Sequence, residues 1–396
     1  MSEAATSTAA GSAASNGKQA DLVEAAKGLM ELVDRDATAA ETLGQLTDEV
    51  EEAFHETGLW GMWVPQTLGG AELWPIASLH VLEDTSYADP SAGWVLMAAA
   101  LATGCDAAYM GDEAAAQLYP GGRLLVHAGQ GTRPGQALTT DGGYLVSGEW
   151  QFASGIKNSQ IIHTGSLVEE TGQPRIAIFP KEQATFIDNW DVLGLRATGS
   201  IDYTADSVFV PEPFTYPAVT DVPLRGGIVF TLGIVNFGMI CHTSWALGVG
   251  RRMLDELRKL VEGKAGRPGS LGENEEFLGD FAMAEAKWRA AHALTYETWN
   301  DVEDTLHGGD PMTLDQQTRT RLALQHATWS VQEVCMFVYL AAGTAGIREG
   351  IIQRAFRDYH TGTQHFTSSP PIRQNCGRML AGIAKGKKWQ FLNLVD

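Results

Sequence analysis

The sequence predicts an α+β chain in three parts: an N-terminal helical domain, a middle β domain and a C-terminal helical bundle. Two changes of texture carry this. At Gly121 apolar residues at three- and four-residue steps give way to short β-rich runs separated by turns; near Gly227 the helical spacing returns and lasts almost to the end. Length agrees, since 396 residues can bury enough core for two or three domains.

Residues 1–19 are rich in Ala, Ser, Thr and Gly, carry no periodicity and read as a disordered tail. The helical domain spans 20–120. It opens with Leu22, Ala25, Ala26, Leu29, Met30 and Val33 at helical steps. A second segment runs from Thr42 to about Glu56, with Leu43, Leu46, Val50, Ala53 and Phe54 on one face and Gly58 closing it. Helices resume at Pro75–Ala88 and Ala92–Leu101. The β domain spans 121–222. Strands are expected at Leu124–Ala128, Tyr144–Trp150, Ile161–Ser166, Arg175–Ile178 and Ser207–Val210, enough for a small barrel or sandwich. In 223–396, periodic segments cover about 228–262, 274–307, 314–341 and 348–361, with a last short helix near 374–385. Four long helices in sequence suggest an antiparallel bundle.

Composition narrows the function. A formal charge of −20 argues against nucleic acid and anionic membrane surfaces, which need clustered Lys and Arg. Cys105, Cys241, Cys335 and Cys376 stand apart with no C-x-x-C pair, so the expectation is free thiols in a reducing compartment and no metal site. The N-terminus lacks a basic region followed by an apolar one, and no apolar run is expected to reach the ~18 residues of a membrane helix. A cytoplasmic protein follows. No G-x-G-x-x-G follows an expected strand, so no nicotinamide site is expected, and no P-loop, H-E-x-x-H or G-x-S-x-G occurs.

Three motifs remain. The first is Gly143-Tyr-Leu-Val-Ser-Gly-Glu-Trp-Gln-Phe-Ala-Ser-Gly155. The second is Leu193-Gly-Leu-Arg-Ala-Thr-Gly-Ser-Ile-Asp-Tyr-Thr204, leading to Val208-Phe-Val-Pro211. The third runs from Gln353 through Arg354, Arg357 and Asp358 to His365. Together they resemble the flavin-handling segments of the acyl-CoA dehydrogenase superfamily, and most closely its two-component (group D) flavin-dependent monooxygenases. No Glu lies between Ile351 and Asp396, where the dehydrogenases most often carry their catalytic base; nor does Thr231–Asn236, an alternative position, hold a carboxylate.

The resemblance implies an acyl-CoA dehydrogenase-like fold. It also implies a monooxygenase that activates O2 as a flavin C4a-hydroperoxide and oxygenates a small aromatic or heterocyclic substrate. It assigns catalysis to His365 and Ser154. It assigns flavin contacts to Trp150, Phe152, Ser154, Gly155, Arg196, Thr198, Ser200 and Arg357. Trp94 and His365 would meet the substrate. On residue type alone, Ser154 reads as a turn residue and His365 as a core histidine. His360 precedes His365 by five residues and does not fit the motif position. The glycine-rich loop Ala341–Gly346 lacks the aromatic of the dehydrogenases, and Arg267-Pro-Gly-Ser-Leu lacks their Phe. These departures imply reduced FMN or FAD, loosely held and supplied by a separate flavin reductase. Val334, Met336, Phe337, Val338, Tyr339 and Leu340 give a helix apolar all round, and the resemblance implies a homotetramer packed through such helices. The alternatives are an acyl-CoA dehydrogenase or oxidase with a displaced base, and a catalytically silent paralogue in a hetero-oligomer.

Overall fold

The computed structural model describes residues 17–396. Most of the tail expected over 1–19 lies outside the described residues; residues 17–19 already belong to the first helix, α1, which covers 17–28. α2 (Met30–Leu43), α3 (Asp48–Thr57), α4 (Pro75–Ala88), α5 (Pro90–Tyr109) and α6 (Asp112–Leu118) follow. The segment expected from Thr42 to Glu56 is therefore broken. Gly44 takes φ +68 and caps α2, and Thr47 restarts the chain by accepting from the Val50 amide. α5 is longer than the expected Ala92–Leu101, and every residue in it except Ala98 and Leu101 is buried.

Seven strands follow: β1 (His127–Thr140), β2 (Gly143–Trp150), β3 (Ile161–Val168), β4 (Pro174–Pro180), β5 (Thr185–Ile187), β6 (Asp202–Pro211) and β7 (Thr215–Pro217). They form one mixed sheet in the order β5-β6-β2-β1-β3-β4-β7. All pairs are antiparallel except β1 with β3, whose register shifts between Gln130 and Gly135.

The C-terminal part holds α7 (Gly233–Glu262), α8 (Glu275–His307), α9 (Leu314–Ala342), α10 (Ile351–Gly362) and α11 (Pro370–Leu380), then a short hairpin of β8 (Lys388–Gln390) and β9 (Asn393–Val395). α7 is the hub, packed by α4, α5, α8, α9 and α10. The last helix lies earlier than the expected 374–385, because Pro370 and Pro371 suit a helix's first turn. α5 and the segment Ile228–Glu262 are long and apolar enough to cross a membrane by length and composition. That corrects the expectation that no run would reach this length. Here the apolar surface faces protein, and most of each helix is buried.

One buried charge fixes α5 against the sheet. Asp106 accepts from His127 Nδ1 of β1 at 2.7 Å, from His163 Nδ1 of β3 at 2.7 Å and from the Tyr216 hydroxyl of β7 at 2.8 Å. Burial alone would raise the Asp106 carboxyl. The imidazoles of His163 and His127 outweigh it and hold the group down at about 2. The helix so anchored also carries Trp94.

Candidate active site

Four segments converge on Trp94. It is the single indole of α5, and its Nε1 donates to Ser154 Oγ, in the turn after β2, at 3.1 Å. Ser154 Oγ lies 2.7 Å from Ser200 Oγ, and Ser200 Oγ lies 2.7 Å from Thr198 Oγ1. The hydroxyl chain ends where Thr198 donates to the Leu195 carbonyl at 2.7 Å. The Trp94 ring also meets His242 of α7 edge-on at 5.1 Å and His365 at 5.6 Å. The two imidazoles stack at 4.2 Å.

α10 locates two of these segments at once. Asp358 accepts from the Leu195 amide at 2.6 Å, which ties the loop carrying Thr198 and Ser200 to the helix. Burial, and then the charge of Asp89, push Asp358 up to about 7. Gly194 approaches the α10 backbone so closely that a Cβ would sit 2.3 Å from the Arg357 carbonyl carbon, so no larger residue fits there. His365 follows α10 by three residues and caps the turn Phe366–Ser368.

That cap bears on protonation. His365 Nδ1 accepts from the Thr367 amide at 3.4 Å and lies 2.8 Å from the Thr367 hydroxyl. An accepting Nδ1 assigns the ring proton to Nε2. His365 therefore keeps an N–H donor at Nε2 that no described residue engages. Burial, and then the neighbouring His242, hold His365 well below the ordinary imidazole range. Burial takes His242 to about 3. Dense protein around the rings dominates even though both keep part of their surface open, so both imidazoles are neutral at physiological pH. Among the described residues no carboxylate hydrogen-bonds Trp94, Ser154, His242 or His365.

The remaining expected contacts divide. Phe152 and Gly155 flank Ser154. Phe152 is held at φ +64, is 55% exposed and meets Trp190 edge-on at 6.1 Å. A left-handed aromatic costs of order 1–3 kcal/mol, and such strain concentrates at ligand sites. Arg196 is exposed; its Nε donates to the Val192 carbonyl at 3.0 Å, and no carboxylate pairs with it among the described residues. Two residues are not brought to the site. Trp150 is fully buried in the sheet domain, stacked on Tyr203 at 5.2 Å and donating to the Gly165 carbonyl. Its place in the β2 alternation points it into the core. Arg357 is committed to Glu41 at 2.6 Å, to Gln353 and to the Leu193 carbonyl. It braces α10 rather than facing the cleft. His242 was missed: a lone imidazole in an apolar helical stripe has no sequence mark beyond its spacing from Trp245.

These groups suit a flat aromatic cofactor such as a flavin. They offer an exposed aromatic wall, uncharged hydroxyls at one edge and one unpaired guanidinium for a phosphate. Two cavities lie elsewhere. One of about 620 Å³ sits between α3 and Gly121–Leu124, and another of about 470 Å³ sits beside Arg175 and Tyr216. Neither is lined by Trp94, Ser154 or His365; the first carries Lys18, Asp21, Glu52 and Glu56 and the second Asp112, Glu113, Arg175 and Glu212, whereas the cluster at Trp94 is uncharged, which favours the cluster for a flat aromatic ligand.

Comparison with known proteins gives the same fold. Residues 18–120 match the family model of the acyl-CoA dehydrogenase N-terminal domain, and residues 240–370 match that of the acyl-CoA dehydrogenase C-terminal domain. The chain is 30% identical over 353 residues to indole-3-acetate monooxygenase of Pseudomonas putida, covering 85% of this chain and 87% of that one. It is 26% identical over 361 residues to the flavin-dependent monooxygenase oxygenase subunit HsaA of Mycobacterium tuberculosis, covering 86% and 90%. Among solved structures it is similar to XiaF from Streptomyces, in complex with FADH2 and glycerol, at a TM-score of 0.85 and 19% identity over 93% of this chain and 97% of that one.

Proposed function

The chain belongs to the acyl-CoA dehydrogenase family, and from that premise we propose that it is the oxygenase component of a reduced-flavin-dependent monooxygenase acting on a small aromatic or heterocyclic substrate. One observation carries this reading. Where a dehydrogenase needs a carboxylate base, the cleft at Trp94 and Ser154 holds two neutral imidazoles, and the chain has no Glu from Ile351 onward. Abstraction of a proton beside a thioester has no agent there.

When bound, reduced flavin supplies the electrons and activates oxygen. The chain's residues orient and shield. Ser154 accepts from Trp94, and because Thr198 donates to the Leu195 carbonyl the chain directs the Ser154 proton to Ser200, so Ser154 offers an Oγ lone pair to a donor on the cofactor edge. Phe152, Gly155, Thr198 and Ser200 line that edge, and Arg196 is free to meet a phosphate. His365 donates through Nε2 to oxygen held in the cleft. This donor role takes precedence over proton abstraction, because Nδ1 is already engaged by Thr367. Trp94 forms the wall against which a planar substrate packs.

Relatives support the reading: one acts on indole-3-acetate, one is an oxygenase subunit and one binds FADH2. The chain has no nicotinamide fingerprint, which supports a separate reductase as the source of reduced FMN or FAD. Four unpaired, buried cysteines support a reducing, cytoplasmic setting. The test is to mix the protein with chemically reduced FMN or FAD, oxygen and indole-3-acetate, and to quantify oxygenated product and hydrogen peroxide. Product beyond a flavin-only control is expected. No product, with bound flavin bleached by an acyl-CoA, overturns the reading in favour of a dehydrogenase.

A further inference from the structure

We propose that His242 is the acceptor for a substrate's ring hydroxyl or ring N–H, and so decides which aromatic substrates the cleft selects. This rests on the monooxygenase reading of the same site. His242 projects from α7 onto Trp94, the indole that donates to Ser154, and stacks on His365. Its chain neighbours are occupied: Cys241 faces the Met97 carbonyl, and Thr243 donates to the Met239 carbonyl. No described residue hydrogen-bonds either ring nitrogen of His242, yet neither is sealed among the unsatisfied buried atoms. Both nitrogens are therefore unpartnered and not sealed off, free to meet a ligand.

A neutral imidazole always carries one acceptor nitrogen. His365 spends its acceptor on Thr367 and keeps its Nε2 donor free. His242 is left to supply the acceptor, one ring thickness away. The two histidines thus divide the work: one donates to oxygen, the other receives a donor on the substrate. Burial keeps His242 uncharged, and its very low affinity for a proton means that it orients the O–H or N–H without removing it. An aromatic ligand lacking such a donor leaves this buried acceptor unmet, which gives discrimination.

The test uses two probe pairs that differ only in the donor: indole-3-acetate against 1-methylindole-3-acetate, and phenol against anisole. Each is assayed with reduced FMN and with reduced FAD. The wild type is expected to favour the donor-bearing member by about tenfold in kcat/KM, the size of one net hydrogen bond. His242→Phe keeps the ring contacts with Trp94 and His365 and removes the acceptor. It should slow the donor-bearing member about tenfold, spare the methylated one and bring the ratio near one. His242→Gln, which keeps an acceptor, should retain the preference. An unchanged ratio in a folded His242→Phe overturns the proposal. If that variant misfolds, loss of the preference in His242→Gln overturns it instead. A wild type that oxygenates none of the four probes sinks the monooxygenase reading itself, a result distinct from either.

Discussion

Replacing His365 by Ala and by Asn separates what this residue does for the fold from what it does for the chemistry. The side chain caps the Phe366–Ser368 turn, and its ring touches His242 and Phe366 at 4.2 Å and Trp94 at 5.6 Å. Ala loses the cap, about 1 kcal/mol, and three ring contacts of about 0.5–1.5 kcal/mol each. Asn keeps an oxygen that can accept from the Thr367 amide, so it should recover roughly the first of these. Neither variant keeps an N–H at the Nε2 position. A donor aimed at charge that builds during reaction is worth about 10²–10³-fold, and proton transfer about 10²–10⁴-fold. Both variants should lose oxygenated product by about two orders of magnitude, with hydrogen peroxide rising to match the flavin oxidised, while His365→Asn melts above His365→Ala. Product and peroxide are measured side by side with the thermal midpoint. Wild-type rate and coupling in His365→Asn would leave His365 a structural residue. The pH dependence gives a second check. Folded His242 and His365 bind protons less readily than the unfolded chain, so the stability from keeping them neutral is full above about pH 6.5 and lost as pH falls below it. Coupling should stay flat from pH 6.5 upward. An acid limb centred near 6.5 that vanishes in His365→Asn contradicts the neutral donor.

Three further outcomes follow from geometry. Arg196→Ala should weaken binding of reduced FMN by about 10- to 100-fold in a fluorescence titration, as loss of one charge-assisted phosphate contact requires, whereas Arg357→Ala should leave it unchanged; equal effects would reject the division between them. Asp106→Asn turns one acceptor oxygen into an NH2 facing a ring N–H and should cost about 1–3 kcal/mol in chemical denaturation, the size of leaving buried hydrogen-bonding groups unmet, and an unchanged midpoint would show the Asp106 cluster contributes little. Leu278, Met283, Leu340 and Ile347 leave apolar surface exposed on and beside α8 and α9, so sedimentation should show a tetramer or at least a dimer, and a monomer at micromolar concentration rejects that assembly.

The sequence revealed elements wherever one face alternates with another. α4, α8 and α9 lie where their apolar spacing predicts. The break at Gly44 was hidden because Leu43, Leu46 and Val50 keep helical steps across it. α5 was cut short for the opposite reason: buried all round, it has no polar face to mark its ends. The outer half of β1 reads as a loop because Arg133-Pro134-Gly135 interrupts it, and the sheet absorbs that stretch as a register shift against β3. For the candidate site, motif context picked out Ser154, Ser200, Thr198, Trp94 and His365, which the fold brings together. It misplaced Trp150, whose face depends on β2 pairing, and Arg357, whose partner Glu41 lies more than three hundred positions away. His242 and the Asp106 cluster were illegible because their partners come from distant segments and no local pattern joins them.

The attachment of Leu195 to Asp358 has a consequence for how such a chain can diversify. The loop bearing Thr198 and Ser200 and the turn bearing His365 are both fastened to α10, so one rod holds both jaws of the cleft at a set gauge. The side walls, Trp94 and His242, come from α5 and α7. Substitutions along those two helices can recut the substrate's outline while the span between hydroxyl chain and imidazole stays constant. Range and reactivity are therefore inherited through different helices, and one can drift while the other is held.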